Sequence, residues 1–142
     1  MADEDEVLAA IRLFYVGIEA MISGRGIEPM LQAWHHVDWV TSKHPLTDWA
    51  QGWDQVRTIW EASAKFGRHD RGGSKLLSAR VHLRGDLALV AVVFESAPAW
   101  GGERLACTDV VERIGGVWKM IHHHADTGPA MAAALEKILS EA

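Results

Sequence analysis

Cysteine is almost missing from this chain: Cys107 stands alone among 142 residues, so no internal disulfide can form. A lone thiol fits a reducing, cytoplasmic setting. Basic residues are outnumbered, with 14 Lys and Arg against 19 Asp and Glu for a net charge of −5. Nucleic acid is therefore not an expected partner, because non-specific binding to it rests on clustered cations that neutralise phosphate. No stretch reaches the roughly 18 consecutive apolar residues of a membrane span. The opening Met1-Ala-Asp-Glu-Asp-Glu6 is acidic where a secretory leader would be basic, so neither insertion nor secretion is expected. Prolines number only four, and no repeat, low-complexity tract or Pro/Ser-rich linker divides the chain. It reads as one domain over 1–142, with a core unit at 7–127 and a terminal helix at 129–142. At this length a fold buries about two thirds of its unfolded surface without needing a metal or disulfide staple.

What is present changes period halfway along. Leu8, Ile11, Tyr15, Ile18 and Ile22 recur at three and four, with Phe14 and Met21 widening the stripe, which predicts an amphipathic helix from Val7 to Ile22. The acids Asp3 to Glu6 sit at its start, where the helix dipole favours them, and Ser23-Gly24-Arg25-Gly26 ends it. Pro29 opens a short helix from Glu28 to Trp34, and Val37 to Ser42 reads as a strand running into the loop at 43–46. A third helix spans Trp53 to Phe66, with Gly67 as its stop. From Ser74 the pattern is β: strands at Leu76–Leu83, Leu87–Ser96, Arg104–Ile114 and Val117–Ala125, joined by short Gly-containing connections, form an antiparallel meander. Pro129 then opens a last amphipathic helix carrying Met131, Leu135, Ile138 and Leu139. Helices segregated from an antiparallel sheet define an α+β architecture.

Several residues stand out as chemistry-bearing. Asp109 interrupts the apolar row Leu105, Cys107, Val111, and an acid in such a row needs a partner: an arginine, or a histidine on a neighbouring strand. His122-His123-His124 invites a metal reading, but a regular strand points only His122 and His124 the same way, which supplies two ligands. We expect no metal and no cofactor. Strict alternation puts Trp118, Met120, His122 and His124 on one face and Val117, Lys119, Ile121 and His123 on the other. Lys119 prefers solvent, so the Trp118 face is expected to look inward. Seven tryptophans suggest an aromatic-walled interior. Trp34, Trp49, Trp53 and Trp60 are placed on helices facing the sheet, with Trp34, Trp39, Trp53, Trp60 and Trp118 expected around a pocket and Trp100 at its lip.

Three segments carry a resemblance. Met30-Leu-Gln-Ala-Trp-His-His-Val-Asp-Trp-Val40, Gly52-Trp-Asp-Gln-Val-Arg-Thr-Ile-Trp60 and Gly115-Gly-Val-Trp-Lys-Met-Ile-His-His-His-Ala-Asp126 resemble the second helix into first strand, the third-helix opening and the last hairpin of the nuclear transport factor 2-like, or SnoaL-like, superfamily. The resemblance implies a curled sheet wrapped by helices into a cone, an apolar pocket and a homodimer through the outer face of the sheet. Its members include ketosteroid isomerases, dehydratases, hydrolases and the association domain of a calmodulin-dependent kinase. Against the isomerase pattern, the base position falls near Ser42, which is no carboxylate, and the nearest proton-moving residue is His44. The tyrosine position falls near Gly17, with Tyr15 on the buried stripe beside it. Asp109 lies where the isomerase's late-strand acid lies, ahead of Gly115-Gly116.

The resemblance thus implies a small hydrophobic molecule as partner, with His44, Asp109 and His124 as catalytic candidates and Tyr15 and His122 as further pocket groups. If the protein is an enzyme, an isomerase, dehydratase or hydrolase working by His/Asp acid–base chemistry is implied. A non-catalytic association module is the alternative, and the sequence leaves both open.

Overall fold

The computed structural model describes residues 2–45 and 47–141, so Leu46, in the loop expected at 43–46, lies outside the described residues. The first helix, α1, spans Ala2–Ile22, with Asp3, Glu4 and Asp5 inside its first turn rather than ahead of it. Carboxylates there meet the unpaired N–H groups and the positive end of the helix dipole, which explains the early start. The second helix, α2, covers only Glu28–Gln32. It stops because the next residues join the sheet: Met120 N–H donates to the Ala33 carbonyl at 2.9 Å and His35 N–H donates to the Met120 carbonyl at 3.0 Å.

The strand expected at Val37–Ser42 is shorter and later, with β1 at Thr41–Lys43, since residues 37–39 turn. A strand the sequence reading missed, β2 at Trp49–Gln51, pairs antiparallel with β1. Trp49 therefore lies on a strand, not on a helix. The third helix, α3, runs Trp53–Ala64. Strands β3 (Lys75–Arg84), β4 (Leu87–Glu95), β5 (Arg104–Ile114) and β6 (Val117–Ala125) form the expected meander, and α4 covers Pro129–Leu139. Gly115 and Gly116, at φ 57° and 80°, make the two-residue turn between β5 and β6 in a region closed to most side chains.

The six strands form one curved, unclosed, mixed sheet in the order β2-β1-β6-β5-β4-β3, with β1 parallel to β6. Side chains opposite one another in register share a face. One face carries Ala88, Val90, Val92 and Phe94 of β4 and Leu105, Cys107, Asp109 and Val111 of β5, all buried under the helices. Phe14 of α1 and Trp34 fill the centre, in an edge-to-face contact at 6.0 Å, and Phe14 meets Trp60 of α3 at 5.7 Å.

One irregularity sets the site. Across β5 and β6, Val110 faces His122 while Val111 faces Met120, so Ile121 is an extra residue without a partner. Such a bulge reverses the alternation beyond it. Trp118 and Met120 point inward as expected, but so does His123, while His122 and His124 point out.

The end of α1 is held against the end of α3 by a close backbone approach. A Cβ added at Gly67 would lie 2.0 Å from the Met21 carbonyl oxygen, which backbone movement alone can relieve. Gly67→Ala is expected to destabilise the fold by about 1–3 kcal/mol, the usual cost of overpacking, read as a lower urea midpoint at unchanged slope.

Candidate functional site

A cavity of about 300 Å³ lies between the inner sheet face and the helices. Its floor is Tyr15 of α1 with Phe94, Leu105, Cys107 and His123 of the sheet, and its sides are Trp60 and Phe66 near α3 and the apolar stripe of α4. Among the described residues no Lys, Arg, Asp or Glu side chain lines it. Its polar groups are few, the pattern of a small-molecule site.

Behind the floor sits Asp109, with no exposed surface. The Tyr15 hydroxyl donates to its Oδ2 at 2.7 Å, and His123 Nδ1 lies 2.6 Å from its Oδ1. A carboxylate only accepts, so the proton between them belongs to Nδ1. Among the described residues the other ring nitrogen, Nε2, has no hydrogen-bond partner in the protein. His123 lines the cavity. Burial, and then the Asp109 charge, raise the Tyr15 pKa well above its ordinary value, so Tyr15 remains a hydrogen-bond donor. The same two causes push the Cys107 thiol up to about 12, which keeps it protonated and unreactive near neutral pH for as long as it stays buried.

On the opposite side, His44 follows β1. Its Nε2 is 2.8 Å from the hydroxyl of the fully buried Ser42, and its ring packs on Trp60 at 4.2 Å. Burial, then the neighbouring His123 and Lys43, lower the His44 pKa to about 3, so the ring is neutral across the physiological range. The His44 and His123 rings stand 6.4 Å apart, centroid to centroid. Both rings line the cavity.

The structure brings together His44, Asp109 and Tyr15 of the residues singled out from sequence, and adds His123. It does not bring His124, which lies exposed on the outer face against Trp49 at 5.3 Å. His122 is also outward, bonded through Nδ1 to Thr41 Oγ1 at 2.8 Å. The reversal at Ile121 is the physical reason in both cases. Of the tryptophans expected around the pocket, Trp60 lines it, and Trp100 does so too. Trp34 is core, Trp118 is buried beside the Arg113 guanidinium at 5.2 Å, and Trp53 stacks on His36 at 4.0 Å. Trp39 is on the surface, donating to Glu112 at 2.8 Å. The sequence reading missed Phe94, Cys107 and the α4 residues as lining; the inward alternation of β4 and β5 was the available signal. Among the described residues no three His, Cys, Asp or Glu side chains converge as a metal ligand set.

An α+β cone with an apolar cavity and a few convergent polar groups is a recognisable class of protein. The SnoaL-like domain family matches residues 11–127, and the chain belongs to that family. Among solved structures, an NTF2-like protein of unknown function from Pseudomonas putida is similar at 21% identity, covering 89% of this chain and 87% of its own, with a TM-score of 0.72. A candidate dehydratase of the NTF2-like family from Streptomyces avermitilis is similar at 22% identity over 90% and 97%, with a TM-score of 0.69. The association domain of CaMKII from C. elegans is similar at 18% identity over 89% and 98%, with a TM-score of 0.61. These likenesses establish a shared fold. No curated protein matches the sequence.

Two measurements check the electrostatics. Tyr15→Phe withdraws a donor from a buried carboxylate and is expected to cost about 1–3 kcal/mol of stability by urea unfolding. His44 is depressed below its unfolded value, so the unfolded state holds one more proton between about pH 6.5 and 3. Stability from this group falls as pH drops through that window, by up to about 1.4 kcal/mol per pH unit. His44→Gln should flatten the unfolding free energy against pH by about one proton between pH 6 and 4; an unchanged slope would contradict a neutral buried imidazole.

Proposed function

We propose that this protein binds a small, uncharged, hydrophobic molecule in the cavity and transfers a proton on it. The observation that carries the reading is the Asp109–His123 pair at the floor of an otherwise apolar cavity. Asp109 orients the His123 ring and stabilises it once protonated, which makes Nε2 a general base; Tyr15 keeps Asp109 in place from the other side. His44, neutral and 6.4 Å away, supplies the facing hydrogen-bonding group for oxygen charge that develops on a carbonyl or leaving hydroxyl. In this reading Asp109 does not touch the ligand, and His123 takes the inward place that strict alternation would give His122 and His124. Isomerisation, dehydration and hydrolysis all use such a base with a facing donor.

We place the protein in the cytoplasm as one domain, pairing with a second copy through the outer sheet face, where Leu87, Leu89 and Val117 are exposed. The same exposed apolar face supports a second reading, in which the chain is an association module and the cavity is incidental.

Native mass spectrometry on untagged protein, followed by titration with the neutral dye Nile red, separates the two. A dimer that retains a small organic mass, or binds the dye competitively with neutral hydrophobic compounds, supports the ligand reading. Bare assemblies larger than a dimer that bind no dye would overturn it in favour of association.

A further inference from the structure

One wall of the cavity is held very differently from the rest. Helix α4 contributes Met131, Leu135, Ile138 and Leu139 to the lining, yet among the described residues only the Glu103 side chain hydrogen-bonds to the helix, and only Arg71 to the residue just beyond it. At its start the Glu103 carboxylate accepts from the Ala130 and Met131 N–H groups at 3.1 and 3.0 Å. Two close approaches reinforce that end. A Cβ at Gly128 would fall within 2.7 Å of Glu103 carboxyl atoms, and one at Gly101, where φ is 104°, would fall 2.7 Å from the Met131 backbone. At the other end there is one ion pair, Arg71 with Glu141 just beyond the helix. Arg71 is itself buried and fixed by donation to the Phe66 carbonyl at 2.8 Å, whereas the Glu141 side chain is 44% exposed.

This asymmetry defines a hinge and a latch. We propose that α4 is the gate of the cavity, turning about its Glu103-capped start and opening at its far end when the Arg71–Glu141 pair separates. The start cannot move without exposing two N–H groups and a carboxylate that fit one another closely. The far end moves at the cost of one half-exposed ion pair and the apolar contact of Ile138 and Leu139, the weakest attachment around the cavity. Opening there uncovers Ile22 at the end of α1 and Phe66 just beyond α3, both in the lining, and admits an apolar molecule to the cavity.

The gate rests on reading the cavity as a binding site, but its motion is measurable with no ligand. Cys107 is the chain's one cysteine and lines the cavity, so its reaction with the uncharged disulfide dithiodipyridine, followed by thiopyridone release, reports opening. Glu141→Gln is expected to raise the labelling rate about two- to fivefold, the population change an ion pair of this kind supports. Added salt should accelerate labelling of the wild-type protein and leave Glu141→Gln unaffected, since only the former has a charged latch to screen. Both rates should depend weakly on low urea, as a local opening does. Equal rates in the two proteins, or a urea dependence as steep as global unfolding, would overturn the gate. Failure of Nile red to bind would instead overturn the ligand reading while the labelling result stands.

Discussion

A carboxylate with no exposed surface has to be satisfied by the protein around it, and among the described residues Asp109 is satisfied by Tyr15 and His123. Those contacts join α1, β5 and β6 at one point. Leaving either oxygen unpartnered in so apolar a place costs kilocalories, so the pair fixes the rotation of α1 over the sheet and the phase of β6 against β5. Phe14, one residue before Tyr15 and packed on the His123 ring at 4.7 Å, carries the constraint into the core. The bulge at Ile121 belongs to the same requirement. Without it, His122 rather than His123 would lie opposite Asp109 and point inward.

The cavity inherits its character from this arrangement. Asp109 faces away from the opening, behind the rings it orients, so the charge that organises the site is not the surface a ligand meets. The cavity wall carries His44, His123 and Tyr15 among a mostly apolar lining to which α4 contributes four residues. Burial works the same way on each titratable group there: it keeps the His44 imidazole neutral, the Cys107 thiol protonated and the Tyr15 phenol protonated. These neutral groups surround the buried Asp109–His123 pair, and His123 is the member of that pair that lines the cavity.

Much of the fold was legible because it is written in local periods. The stripe of α1, the alternation along β4 and β5, the Gly115-Gly116 turn and Pro129 at the start of α4 all read correctly, and the motifs around Trp34, Trp60 and Trp118 pointed to the family that the comparison establishes. The errors cluster where a segment is decided by a distant partner. The second helix ends early because Met120 claims the backbone of Ala33 and His35, and β2 is a strand only because β1 lies beside it. Trp39 and Trp49, apolar by type, lie exposed for the same reason.

The sequence by itself determined the α+β architecture and the acid that interrupts an apolar row, with an arginine or a neighbouring strand's histidine as its expected partner, because alternation is a local property of the chain; the family followed from the resemblance of three local motifs. Tertiary structure decided which histidine that is. Whether a strand holds two perfect alternations or slips by one at Ile121 depends on the strand opposite and on the buried charge that must be met, and neither is visible in the run His122-His123-His124 itself.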